Sequence, residues 1–170
     1  MKKENKNALT EIFEGYKGGD EMPLAGYATL FGVYNIAILV MLLTEKTPDE
    51  KWLDDISLTD ILLLSVATYK ISRVVASDRI TSPLRAPFME YIEPDGASEV
   101  KEKVRGTGFQ RAVGDLLHCP FCLGSWVAAA LGTGLVIRPK TTRFVSKIFA
   151  VVALADVFQH AYGILKDEEK

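Results

Sequence analysis

Both cysteines of this chain stand in one tetrapeptide, Cys119-Pro120-Phe121-Cys122, and one of its two histidines, His118, directly precedes it. Three chemistries fit a Cys-X-X-Cys motif followed by an apolar run. The pair supplies half of a tetrahedral zinc site, and His118 and His160 are the only imidazoles in the chain to complete it. Adjacent His118 and Cys119 make poor joint ligands of one ion, so a zinc site built by two chains, each giving a cysteine pair, is the variant. The pair also suits dithiol–disulfide exchange, because a helix N-terminus favours a thiolate. The third reading is structural. Pro120 opens the helix where its missing N–H costs nothing, the small thiols pack closely, and Trp126 anchors at a membrane interface.

Three further groups stand out. Arg73, Asp78, Arg79 and Arg85 form a charged collar suited to anionic lipid head groups or a partner. Gly124, Ala128 and Gly132 are spaced four apart, which lets two membrane helices approach closely. Asp156 and His160 share a helix face near the C-terminal end. No phosphate loop, nucleophile triad or metallohydrolase pattern is present, which points away from an enzyme.

These residues need elements to position them. The chain has 170 residues, a net charge of -2, 48% apolar and 25% charged residues. Such averages suit a soluble domain, and the balance gives no basic field for nucleic acid. The two kinds of residue are segregated, however. Residues 24–43 carry no charge over about 30 Å of helix, the thickness of a bilayer's hydrocarbon core. Within that run Asn35 is expected to bond a neighbouring helix. Residues 58–76 form a second expected span, with Lys70 and Arg73 reaching out to head groups from its last turns. Residues 122–137 form a third, short at about 24 Å, and 144–165 a fourth, after a basic turn over 138–143. Residues 77–121 are expected to be a charged loop. It ends in an amphipathic helix that places Phe109, Ala112, Val113, Leu116 and Leu117 on one face. Residues 1–22 form a polar segment whose Leu9, Ile12, Phe13 and Tyr16 suit a helix lying on a membrane surface. Residues 23–170 then form a single helical membrane domain.

Orientation follows from Lys and Arg. With both termini inside, 14 of the 20 basic residues fall on the cytosolic side together with loop 77–121. The basic turn 138–143 opposes this assignment, unless the third and fourth segments form a shallow hairpin.

"RVVASDRITSPLRAPF" and "RGTGFQRAVGDLLHCPFCLGSW" together resemble an uncharacterised bacterial membrane-protein family, domain of unknown function 1360. The resemblance runs from about residue 60 to 163. Some members in spore-forming bacteria and their phages carry a sporulation-protein label. The resemblance implies a small helical membrane protein and no reaction.

The reading is therefore an all-α, multi-pass bacterial cell-membrane protein with four helical segments. Its expected role is non-enzymatic: assembly or interaction in the lipid bilayer, with itself or another membrane protein. The alternative is a thiol–disulfide or zinc-dependent membrane protein using Cys119 and Cys122.

Overall fold

Leu24–Thr44 folds as one uninterrupted helix, α1. The structure, a computed structural model, describes Tyr16 and residues 22–44, 56–96 and 98–168. The expected surface helix of the N-terminal segment lies outside the described residues, Tyr16 apart. Asn35 does not bond a neighbour. Its amide donates to the carbonyl of Phe31, one turn back in the same helix.

Helix α2 spans Leu58–Ser77 and begins in a capping box. The Ser57 hydroxyl accepts from the Asp60 backbone N–H while Asp60 reaches back to the Ser57 N–H. Such a cap satisfies two orphan donors of the first turn. Ten residues further on Lys70 is buried, and its ammonium pairs with Asp156 at 2.6 Å. Reaching out to head groups is thereby corrected for Lys70. A carboxylate on a neighbouring helix holds the charge inward. Arg73 pairs at 2.6 Å with Glu99.

Residues 77–121 are built more firmly than the expected loop. A 3-10 turn, Arg79–Thr81, leads into the single-turn helix α3, Ser82–Arg85. Strands β1, Met89–Asp95, and β2, Glu99–Val104, pair antiparallel from Met89↔Val104 to Asp95↔Glu99. The register shifts between Tyr91 and Glu93. Gly96 sits in the turn at φ 68, a conformation glycine adopts freely. Helix α4, Gly108–His118, then presents the amphipathic face expected of this stretch.

Helix α5, Pro120–Ile137, runs 18 residues, about 27 Å. A single residue, Arg138, separates it from α6, Pro139–Glu168. The basic turn expected over 138–143 is therefore helical from Pro139 onward, since proline fits the first turn of a helix. At this corner α5 and α6 pack closely. A Cβ on Gly134 would come within 2.8 Å of the Thr142 hydroxyl.

Cross-helix contacts fix the helix directions. Asp60 meets Arg143 and Lys70 meets Asp156, so α2 and α6 are parallel. Tyr34 stacks edge-on against Trp126, and Thr133 donates to the Met41 sulfur, so α1 and α5 are parallel. Gly124 faces Ser72 and Thr68, while Asp60, Ile61 and Gly132 share a cavity, so α5 runs against α2. Consecutive long helices thus alternate in direction.

The interior of this bundle is thin and built of small residues, Ala67, Ser72, Ala153 and Ser146. The outside is apolar, with Phe31, Leu43, Phe144, Val151 and Phe158 all exposed. Three helices, Leu24–Leu43, Pro120–Ile137 and Pro139–Lys166, are long and apolar enough to cross a membrane, and only 6% of each is buried. A soluble protein would bury such surface, whereas lipid covers it without cost. Three of the four expected spans are thus of this kind. Helix α2 has the length but carries Asp60, Lys70 and Arg73, and it fits the bundle through ion pairs.

Candidate functional site

The thiol pair sits where α4 ends and α5 begins. Cys119 is the N-cap of α5, and its sulfur accepts from the Cys122 backbone N–H at 3.2 Å. This is the position at which a side-chain acceptor satisfies an orphan donor, and a sulfur takes it here in place of the usual oxygen. Cys119 and Cys122 are free thiols 2.6 Å apart. That is longer than the roughly 2.05 Å of a disulfide bond, and close enough for one to form with little movement. Burial pushes the Cys119 thiol up, but hydrogen bonds from the Cys122 thiol and from the Cys122 and Phe121 backbone outweigh it. The net direction is below an ordinary thiol. Cys119 is the member of the pair that ionises first, in the environment that makes a cysteine nucleophilic.

Neither histidine joins the thiols in a formed site. His118 is exposed at the end of α4. His160 is exposed on α6, and its Nδ1 lies 2.9 Å from the Asp156 carbonyl of its own helix. The Asp156 carboxylate is engaged by Lys70. Among the described residues no three His, Cys, Asp or Glu side chains gather as a metal site would need.

A groove of about 460 Å³ opens beside Cys122, between α1 and the α4–α5 corner. Its walls include Phe31, Tyr34 and Trp126, and Asp115 closes one side. The Tyr27 hydroxyl donates to Asp115 at 2.6 Å. A second groove, about 620 Å³, lies between α2 and α5, and Gly124 and Ala128 line it. A Cβ built on Gly124 would make only ordinary contact, 3.7 Å from Ser72, and one on Gly132 would meet nothing within 4 Å. The small-residue face looks onto α2 across these grooves, loosely enough that an added Cβ would fit.

The charged collar divides. Arg73 and Arg79 are exposed, but Arg85 is fully buried and so is not a surface contact. Its guanidinium has five N–H donors, and all five are used. Nε donates to Glu102, Nη1 to the Val75 carbonyl and the Thr81 hydroxyl, and Nη2 to the Asp78 carbonyl and the Ser82 hydroxyl. Val75 and its neighbour Val74, which accepts from Thr81, belong to the last turn of α2. A helix end leaves such carbonyls without partners and carries partial negative charge. Arg85 therefore caps α2 from within the loop that follows it. Burial, with Lys70 partly offsetting, raises the Asp78 carboxyl above its ordinary value.

The next three carbonyls are held as well. Ala86 accepts from the Arg105 side chain, Pro87 from Gln110 and Phe88 from the Arg105 backbone N–H. Gly106 makes this possible. It turns the chain at φ +84, and a Cβ there would strike the Gln110 amide that reaches Pro87. The Arg-Ala-Pro-Phe and Arg-Gly-Thr-Gly stretches are thus two halves of one clasp.

The family model described as "Protein of unknown function (DUF1360)" matches residues 63–162, more than half of the chain. The chain belongs to this family. The DUF1360 match takes in most of α2, the clasp and the thiol pair, and it leaves α1 outside. Two relatives come from Bacillus subtilis (strain 168). "Sporulation protein YjcA" is 32% identical over 102 residues, 58% of this chain and 86% of that protein. "UPF0713 protein YngL" is 26% identical over 115 residues, 66% of this chain and 85% of that protein. No solved structure matches.

Proposed function

We propose that this DUF1360 protein is a multi-pass component of the bacterial cell membrane that works by assembly with other membrane helices, itself first among them. The observation that carries this reading is how the molecule uses its polar and apolar groups. Arg85, Lys70, Arg73 and Arg143 are all engaged by carboxylates of the same chain. What remains is the apolar exterior and the loosely filled grooves beside Gly124, Ala128 and Gly132. In lipid the attraction between apolar helices comes from close packing, which small residues permit. The sporulation label of one relative supports a role in a membrane structure of spore formation. The excess of basic residues around the termini and in 77–121 supports a cytosolic placement for both. A cysteine placed at the exposed Ser98 in a Cys119→Ser/Cys122→Ser background should then resist an impermeant thiol reagent in intact cells. Rapid labelling would reverse the orientation.

Self-association is tested by energy transfer between differently labelled copies in vesicles. Gly132→Leu should lower the transfer more than Val127→Leu does, since a leucine at 132 enters the cavity that Gly132 shares with Met41 and Ile61, whereas Val127 lies off that face. Unchanged transfer would remove this face as an interface.

A second reading is favoured by one observation, the two thiols 2.6 Å apart with Cys119 capping α5. In that reading the pair cycles between dithiol and disulfide.

A further inference from the structure

We propose that the groove between α1 and the α4–α5 corner binds the ring of a membrane-dissolved quinone, which oxidises Cys119 and Cys122 to a disulfide. The inference rests on the second reading above, that the thiols are redox-active, and it names the electron acceptor.

Three features select this class of molecule. The Cys122 thiol lines the groove directly, so an oxidant seated there meets the pair. The walls are aromatic, with Tyr34 and Trp126 set edge to face at 5.2 Å and Phe31 nearby, which suits a flat, apolar ring. At about 460 Å³ the groove falls within the range of small-molecule sites. It also lies against α1 and α5, two of the helices whose apolar flanks are exposed, so its occupant arrives from the bilayer. One polar feature of the lining, the Tyr27–Asp115 hydrogen bond, sets a hydroxyl and a carboxyl in the same groove, groups that can serve a ring oxygen gaining a proton.

The step balances. The Cys122 sulfur adds to a ring carbon of the quinone. The Cys119 thiolate then attacks the Cys122 sulfur. The S–S bond forms and the S–C bond breaks, its electron pair passing to the ring. Two thiols lose two electrons and two protons, and the two quinone carbonyls become the two hydroxyls of a hydroquinone. Cys119 suits the attacking role, because it is the thiol held toward the thiolate by the first turn of α5.

The test uses the full chain, reduced, in lipid nanodiscs, with decyl-ubiquinone as the probe. Free thiols, intact mass and quinone absorbance are followed together. The expected result is one quinone consumed per thiol pair, with loss of two hydrogens from the protein mass. Cys119→Ser and Cys122→Ser should each abolish it. Trp126→Leu should slow it about tenfold to a hundredfold, the scale of losing ring placement. Oxidation of the Trp126 variant by diamide, a soluble thiol oxidant, should match the parent, which shows that its thiols are intact, and its thermal unfolding in detergent should be cooperative, which shows that it is folded. If diamide closes the disulfide but the quinone does not, the quinone inference fails and the redox reading stands. If neither closes it, both fail. An unchanged quinone rate in Trp126→Leu, or a stable quinone adduct in place of the disulfide, also overturns the inference.

Discussion

Between Asp78 and His118 the large side chain buried most completely is an arginine, while along α5 and α6 the side chains turned outward include Phe121, Phe144 and Val151. The two regions place polarity in opposite ways because they answer to different surroundings. In the clasp, backbone carbonyls at the end of α2 and in 86–88 must find donors, and Arg85, Arg105 and Gln110 provide them. In the bundle each helix satisfies its own backbone, and side chains are free to be apolar on the outside. Where the regions meet, α2 serves both. Its Asp60 and Lys70 turn to α6, its Arg73 to the hairpin, and its last carbonyls to Thr81 and Arg85.

Three ion pairs of decreasing burial sharpen this comparison. Arg85–Glu102 has side chains 0% and 5% exposed. Arg85→Ala should lower stability by about 3–5 kcal/mol, since it leaves Glu102 buried and several helix-end carbonyls unpaired. Thermal unfolding in detergent measures it. Arg85→Lys should recover little, because an ammonium has three donors where five are used. Recovery to near the parent value would mean that charge alone matters in the clasp.

Lys70–Asp156 comes next, with side chains 10% and 34% exposed. Lys70→Ala should cost about 1–3 kcal/mol and Asp156→Ala less, with a coupling of about 0.5–3 kcal/mol in the double mutant. Strict additivity in that cycle would show that the pair does not hold α2 to α6.

Arg73–Glu99 is the smallest, with side chains 45% and 26% exposed. Glu99→Gln should change stability by about 0–1 kcal/mol, and the change should shrink in high salt. A loss as large as that of Arg85→Ala would erase the distinction between this exposed pair and the clasp.

The apolar runs made α1, α5 and α6 readable from sequence, and the periodicity of Phe109 to Leu117 made α4 readable. The hairpin escaped because its strands are dominated by charge. Only Met89, Val100 and Glu102 are buried on it, too few for an apolar alternation. One signal was there, since Asp95-Gly96 marks a tight reversal between two extended stretches. The thiols' position at the start of α5 was legible from Pro120. Their neighbours were not, because Tyr27 and Tyr34 lie on α1, far away in sequence. The same holds for the partners of Asp60 and Lys70. Read alone, Lys70 looks like a side chain seeking head groups, and Asp60 like a helix-start residue. Arg143 and Asp156 change that meaning from 83 and 86 residues away. Nothing local distinguishes Arg85 from Arg79, so the sequence alone places both at the surface.

The parallel arrangement of α2 and α6 also bears on how the chain is made. Synthesis runs from the N-terminus, so α2 emerges with Asp60 and Lys70 before either of their counter-charges exists. Lys70, near the middle of α2, costs about 2.5–3.5 kcal/mol in a lone inserted helix. Until α6 arrives, α2 is a poor guest of the bilayer. A nascent chain halted after α5 should therefore hold α2 less firmly in the bilayer than the complete chain does.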